Sequence, residues 1–244
     1  MGRSPKVGCF GWNMSFGIDH AKGVQDYCQA NPDKFDWVGA ELTPYLTVTW
    51  SAEVNDLKDC DYIVVGAFAG GVSTFIRQYR DAGYDAKFVF DDASVSFINS
   101  VYLSVITPKE LEGSIWVSFN HYLKNDPSAL GDILNDNIIP NYAGDQATYM
   151  LNNPWAAESF CLGGHAVMEA WRDAVAQLDS GQEISDIDGE MLYDSLTSLQ
   201  IDITGYPTIG WSTTSPLLFN DIRVYTFDDD IIDFQSLSDW ISLA

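Results

Sequence analysis

The sequence is poor in positive charge: 12 lysines and arginines stand against 35 aspartates and glutamates in 244 residues, a formal charge of −23. A chain so acidic repels nucleic acid and anionic membrane surfaces, and is compatible with cationic or zwitterionic small molecules as partners. Long apolar runs are missing too. Nothing approaches the roughly 20 continuous apolar residues of a membrane span. The opening "MGRSPKVGCF" has no apolar core of signal-peptide length, so an exported protein is expected here in its mature form.

Cysteine and histidine are scarce and scattered. Cys9, Cys28, Cys60 and Cys161 form no CxxC pair and read as buried thiols. His20, His121 and His165 form no HExxH, so no metal and no cofactor is expected. There is no GxxxxGK[ST] phosphate loop and no GxSxG elbow, and "GAFAGG" is not the GxGxxG of dinucleotide binding. The acidic run Asp228–Asp230 lacks the alternating spacing and glycine of a calcium loop and reads as a solvated turn. "GGH" at Gly163–His165 lies in a helical pattern and reads as close helix packing.

What is present is alternation. "KVGCF" is a short apolar run, followed by a helical pattern with Ile18, Ala21, Val24 and Cys28 on one face. "DWVGAEL" reads as a second strand and "SAEVNDLKD" as a helix with Ser51 at its N-cap. "YIVVGAF", continuous and β-branched, reads as a central strand buried on both faces. The helix after it sets Val72, Phe75, Ile76 and Tyr79 on one side, and "AKFVF" and "GSIWVSF" supply a fourth and fifth strand. Such alternation implies an α/β fold with a doubly wound parallel sheet. From Pro127 to Leu199 the pattern turns helical, with Phe160, Gly164, Val167, Met168, Trp171, Val175 and Leu178 along one apolar face. A strand signal returns at "NDIRVYTFD".

In an open parallel sheet, ligands bind at the carboxyl ends of the strands where strand order reverses. In a flavodoxin-like order the first and third strands flank that point. The loop after the first strand carries Trp12, Asn13, Ser15 and Phe16, the loop after the third carries Phe68, and the fourth strand ends on Asp91 and Asp92. Rings offer apolar contact and cation–π attraction, and a carboxylate pairs with an ammonium, so these residues suit a small amphipathic cation or zwitterion. The competing reading makes Trp12 and Phe16 core aromatics and gives Asp91 or Asp92 a helix-capping role. Consecutive residues leaving a strand point to opposite sides, and Asp92 is expected to face the crevice. No histidine, cysteine or lysine falls in these loops to complete a catalytic set, so a binding protein is expected, not an enzyme.

The order of segments, from "PKVGCFGWNMSFGIDHAKGVQDYC" through "VVGAFAGGVSTFIRQYRDAGY" and "AAESFCLGGHAVMEAWRDAVAQL" to the closing "SDWI", resembles the type I periplasmic binding proteins, in the branched-chain amino-acid receptor branch of ABC importers. That resemblance implies a flavodoxin-like, ligand-binding lobe at 1–119 and 206–244, with 120–205 a mainly helical remnant of another, incomplete lobe. It implies a periplasmic or extracellular receptor that binds an amino acid or similar solute in an interlobe cleft and delivers it to an ABC permease. The remaining N-terminal lobe, or a second copy of the chain, is then expected to cover the 120–205 helices. Carried over by position, Phe16 and Phe68 match pocket aromatics and Asp92 matches the acid that pairs with a ligand ammonium. Both phenylalanines lack the hydroxyl of a tyrosine, and Asp92 is one methylene shorter than the family's glutamate. A ligand-sensing module of a signalling receptor, or an enzyme on a flavodoxin-like sheet, would share this fold.

Overall fold

The computed structural model describes residues 2–119, 131–132, 134, 136, 139–141, 154–202, 209–210 and 221–242, without the side chains of 154–162 and 209. The chain divides into two compact units, Met1–Ser118 with Val224–Leu237, and Phe119–Arg223 with Ser238–Ala244.

In the first unit, β1 (Lys6–Trp12) leads into α1 (Ser15–Ala30), β2 (Asp36–Thr43) into α2 (Ser51–Asp56), β3 (Tyr62–Gly66) into α3 (Gly70–Asp81) and β4 (Lys87–Phe90) into the single turn α4 (Asp92–Val95), before β5 (Ile115–Ser118). These strands line up in the order β2-β1-β3-β4-β5, all parallel, which is the flavodoxin-like order. The fold class read from the alternating pattern is the one observed.

Buried side chains explain the order. Phe10 stacks on Phe75 with centroids 3.8 Å apart, and Trp50 meets both edge-on at 5.5 Å. Val72, Phe75, Ile76 and Tyr79 are all fully buried on α3, each contributing about 1.5 to 3 kcal/mol of burial. Arg80 closes the far end of α3 by donating to the carbonyls of Glu110, Tyr84 and Ala86 at 2.8 to 3.1 Å. Cys9, Cys28 and Cys60 are free buried thiols, and burial pushes the Cys9 thiol up to about 12; the Cys161 side chain lies outside the described residues.

Two local expectations are corrected. Ile18 is exposed, because α1 turns Gly17, Ala21 and Cys28 to the sheet instead. Ser51 is the first helical residue of α2, and the cap position is Trp50 with no side-chain cap bond.

The second unit contains α5 (Pro154–Ala176), α6 (Gly189–Ser198) and the short antiparallel pair β6 (Gln200–Ile201) and β7 (Ile209–Gly210). Asp188 caps α6, accepting from the amides of Glu190 and Met191 at 3.0 Å. Against the expected face of α5, the buried stripe is Ala166, Ala170 and Ala174, while Val167, Met168 and Trp171 are exposed. Small residues carry the buried stripe, and these bulky ones are exposed. Among the described residues a Cβ added at Gly163 or Gly164 would meet nothing, and the close packing expected there is not seen.

The chain passes between the units within β8 (Asp221–Asp228), whose later residues pair antiparallel with β9 (Asp233–Ser236) and extend the first unit's sheet beyond β5; its first residues pair with β10 (Ile241–Ser242).

Among the described glycines, Gly17 has the tightest backbone approach. A Cβ there would lie 2.1 Å from the Trp12 carbonyl oxygen and 2.8 Å from that of Gly66. Gly17→Ala is expected to lower stability by about 1 to 3 kcal/mol, the usual range for overpacking, measured by urea denaturation. An unchanged midpoint would show that α1 lifts freely off the strand ends.

Candidate functional site

Because α1 starts directly on the ends of β1 and β3, the loops after β1, β3 and β4 converge at the carboxyl edge of the sheet. Trp12 closes β1 with its indole 1% exposed. Tyr45, from the loop after β2, and Phe68, from the loop after β3, each meet it edge-on, with centroids 4.7 and 4.8 Å away. Phe68 then contacts Phe16 at 5.7 Å and Phe97 at 5.8 Å. Trp12, Phe16 and Phe68 are thus brought together in one aromatic wall. Asn13 and Ser15 are exposed beside it, and the Asn13 amide donates to the Thr43 carbonyl at 2.6 Å.

The aspartate pair is split between two neighbours. Asp91 is the N-cap of α4, accepting from the Ser94 amide at 2.7 Å, and its other oxygen lies 3.2 Å from Nε2 of His20. Asp92 accepts from Nε1 of Trp116 on β5 at 2.8 Å. Ser94 is held in turn, donating from its hydroxyl to the Ala67 carbonyl at 3.0 Å and accepting Tyr102 Oη–H on its own carbonyl at 2.7 Å.

His20 was not legible as a site residue. It lies outside the loops, but four residues after Phe16 in α1, so one helical turn returns it to the same edge, 4.4 Å from the Phe16 ring. That spacing was the available signal, as was the position of Tyr45 after β2. Nδ1 of His20 lies 2.8 Å from the Phe16 carbonyl oxygen, so both ring nitrogens face acceptors and the doubly protonated ring satisfies both. The bond to Asp91 raises the His20 pKa, against the opposing effect of burial. Burial pushes the Asp91 carboxyl up, but the hydrogen bonds from His20 and Ser94 outweigh it and hold it below its ordinary value.

The backbone is strained at the same edge. Ala69, between β3 and α3, has φ +53° and ψ −140°, a region that L residues rarely adopt and that functional sites often tolerate.

Elsewhere on the unit, a cavity of about 430 Å³ lies at the opposite, amino end of the strands, lined by Arg3, Lys6, Phe35, Asp36 and Trp37 among others. Its main cation is already engaged: Arg3 donates to both oxygens of Asp61, at 2.5 and 2.7 Å. Carboxylate oxygens of Glu112, Asp228 and Asp229 also converge within 4.8 Å, where Glu112 accepts the Asp229 amide at 2.7 Å as part of the β8–β9 turn. Neither place combines aromatic rings, carboxylates and a strained turn as the carboxyl edge does.

Several solved structures superpose on this chain. A substrate-binding periplasmic protein from Ralstonia solanacearum superposes with a TM-score of 0.68 at 15% identity, over 96% of this chain and 61% of its own. An extracellular ligand-binding receptor from Rhodopseudomonas palustris HaA2 gives 0.71 at 16% identity, over 96% and 64%. A branched chain amino acid ABC transporter from Thermus thermophilus with bound valine gives 0.66 at 13%, over 98% and 61%. The fold is that of the type I periplasmic binding proteins. These neighbours are binding proteins, and this chain spans about three fifths of their length. No protein-family profile and no curated protein matches the sequence.

The His20–Asp91 pair gives a pH signature with a definite sign. The His20 contribution is complete below the ordinary imidazole pKa of about 6.5 and is lost as pH rises through the raised folded value. The Asp91 contribution is present above the ordinary carboxylate pKa of about 3.9 and is lost as pH falls through the lowered folded value. The stability difference between the native chain and His20→Asn is therefore expected to peak near pH 5, read from denaturation midpoints across pH, and to shrink in alkaline solution. A difference that grows with rising pH would contradict the pairing.

Proposed function

We propose that this chain is the solute-binding part of an importer receptor, periplasmic or extracellular, which takes an amino acid or similar small organic solute at the carboxyl edge of its parallel sheet and releases it unchanged to an ABC permease. The observation that carries this reading is the aromatic wall of Trp12, Phe16 and Phe68, joined through His20 to Asp91, with Asp92 the next residue in the chain, just after β4. Rings and carboxylates in that arrangement suit an ammonium-bearing solute with an apolar part. Asn13 and Ser15 supply polar contact at the rim, and Asp92, whose carboxylate accepts from the Trp116 indole, is assigned to the ammonium by its position just after β4.

Binding without turnover fits the state of His20. Both of its ring nitrogens are committed, one to a carbonyl and one to a carboxylate, which leaves none to take a proton from a substrate. The neighbours' names also point to binding rather than catalysis: one is a substrate-binding protein, one a ligand-binding receptor, and one holds valine.

In this reading the unit that includes α5 and α6 belongs to a second lobe, and the exposed Val167, Met168 and Trp171 mark where the rest of that lobe, or a second copy of the chain, docks. The unmatched two fifths or so of the neighbours' length supports that view.

A melting-temperature screen against free amino acids and small amides tests the proposal. One chemical class is expected to raise the midpoint by linkage and to be recovered unaltered, and Asp92→Asn is expected to weaken its binding by about 1 to 3 kcal/mol. Product formation, or no stabilisation by any member, would overturn the reading.

A further inference from the structure

The indole of Trp12 carries a polar atom that the aromatic wall does not explain. Nε1 is fully buried and has no hydrogen-bond partner among the described residues. Native proteins rarely leave a buried donor unmet, and each such case calls for a cause. The edge of the ring that bears it faces the start of α3. A Cβ built on Gly71 would lie 2.8 Å from Cζ2 and 3.2 Å from Nε1, so the glycine is what lets indole and helix approach.

That helix start supplies further unmet donors. The first chain bonds of α3 run from the amides of Val72 and Ser73 to the Ala69 carbonyl, at 3.1 and 3.5 Å. The amides of Gly70 and Gly71 lie ahead of that ladder, at the positive end of a 12-residue helix with no acidic residue in its first turn and no side-chain cap. The strained turn at Ala69 sets this end at the carboxyl edge of the sheet.

We infer that the Gly70 and Gly71 amides and the Trp12 indole N–H together form a carboxylate-binding subsite, with the acid group of the solute as their shared acceptor. The inference rests on the reading that this edge binds solute, and adds to it which group is held and by what. Three donors and a helix N-terminus hold a carboxylate without any arginine or lysine, as helix ends do for other anions. Local charge permits this in an otherwise acidic chain, because His20 already balances Asp91. A zwitterion then has a place for each end, with its carboxylate at α3 and its ammonium toward Asp92. Phe68 and Tyr45 lie edge-on to the buried indole, and Tyr45 is exposed, so entry of the carboxylate calls for a ring such as Tyr45 to turn aside.

The test uses the full ¹⁵N-labelled chain and acetate as the carboxylate, with acetamide and sodium chloride as controls. Acetate is expected to move the Trp12 indole resonance and the Gly70 and Gly71 amide resonances together and saturably, with acetamide and chloride giving less than a third of the shift. Trp12→Phe, which keeps a ring but removes the donor, is expected to weaken acetate binding at the two glycines at least threefold. If that variant does not fold, the native titration decides alone. Resonances that ignore acetate, or respond equally to acetamide or chloride, would overturn the subsite. The melting screen separates the two proposals: stabilising solutes with an acetate-blind α3 remove the subsite alone, whereas an acetate response with no stabilising solute removes the receptor reading and leaves an anion site.

Discussion

The close contact between the first turn of α1 and the ends of β1 and β3 is the constraint on which the rest of the first unit depends. Gly17 lies backbone to backbone against Trp12 and Gly66, which leaves no room there for any side chain. The helix therefore starts at the strand end without a spacer. Its first turn throws Phe16 over the edge toward Phe68, and its second brings His20 to Asp91. The site is a consequence of packing: the rings meet because the backbones do.

Electrostatics then assigns different work to two adjacent aspartates. Asp91 is committed to the fold, capping α4 and pairing with His20 across to α1. Asp92 turns the other way, to the Trp116 indole on β5. Their partners, on α1 and on β5, hold the two carboxylates apart. In a chain of formal charge −23, holding one of the pair neutralised limits repulsion at the edge that the proposed solute must enter.

Much of this architecture was legible in the sequence, and the exceptions share a cause. The continuous run of β3 and the 3–4 spacing of Val72, Phe75, Ile76 and Tyr79 identified a central strand and its covering helix, because burial on both faces or on one leaves a period in the residues. The capping alternative for Asp91 was open from the start, and the structure shows that capping bond. His20 lies outside the loops, and a turn of α1 brings it to the edge beside Phe16. On α1 and α5 bulk does not mark the buried face: Ile18, Val167 and Met168 are exposed, while Ala21, Ala166, Ala170 and Ala174 are buried. Where helices approach closely, small residues occupy the contact and large ones are excluded, so hydrophobicity alone gives the wrong face. The expected residues at 120–130 and 142–153 lie outside the described residues.

The account's central claim is that solute binds at the carboxyl edge of the sheet, not at the cavity at its amino end. Hydrogen–deuterium exchange on the full chain, with and without a saturating amino acid that stabilises it, tests this most directly. Protection is predicted in the segments that hold Trp12 to His20, Phe68 to Gly71 and Asp91 to Phe97. Protection centred instead on Arg3, Phe35 and Trp37, with the carboxyl edge unchanged, would contradict it.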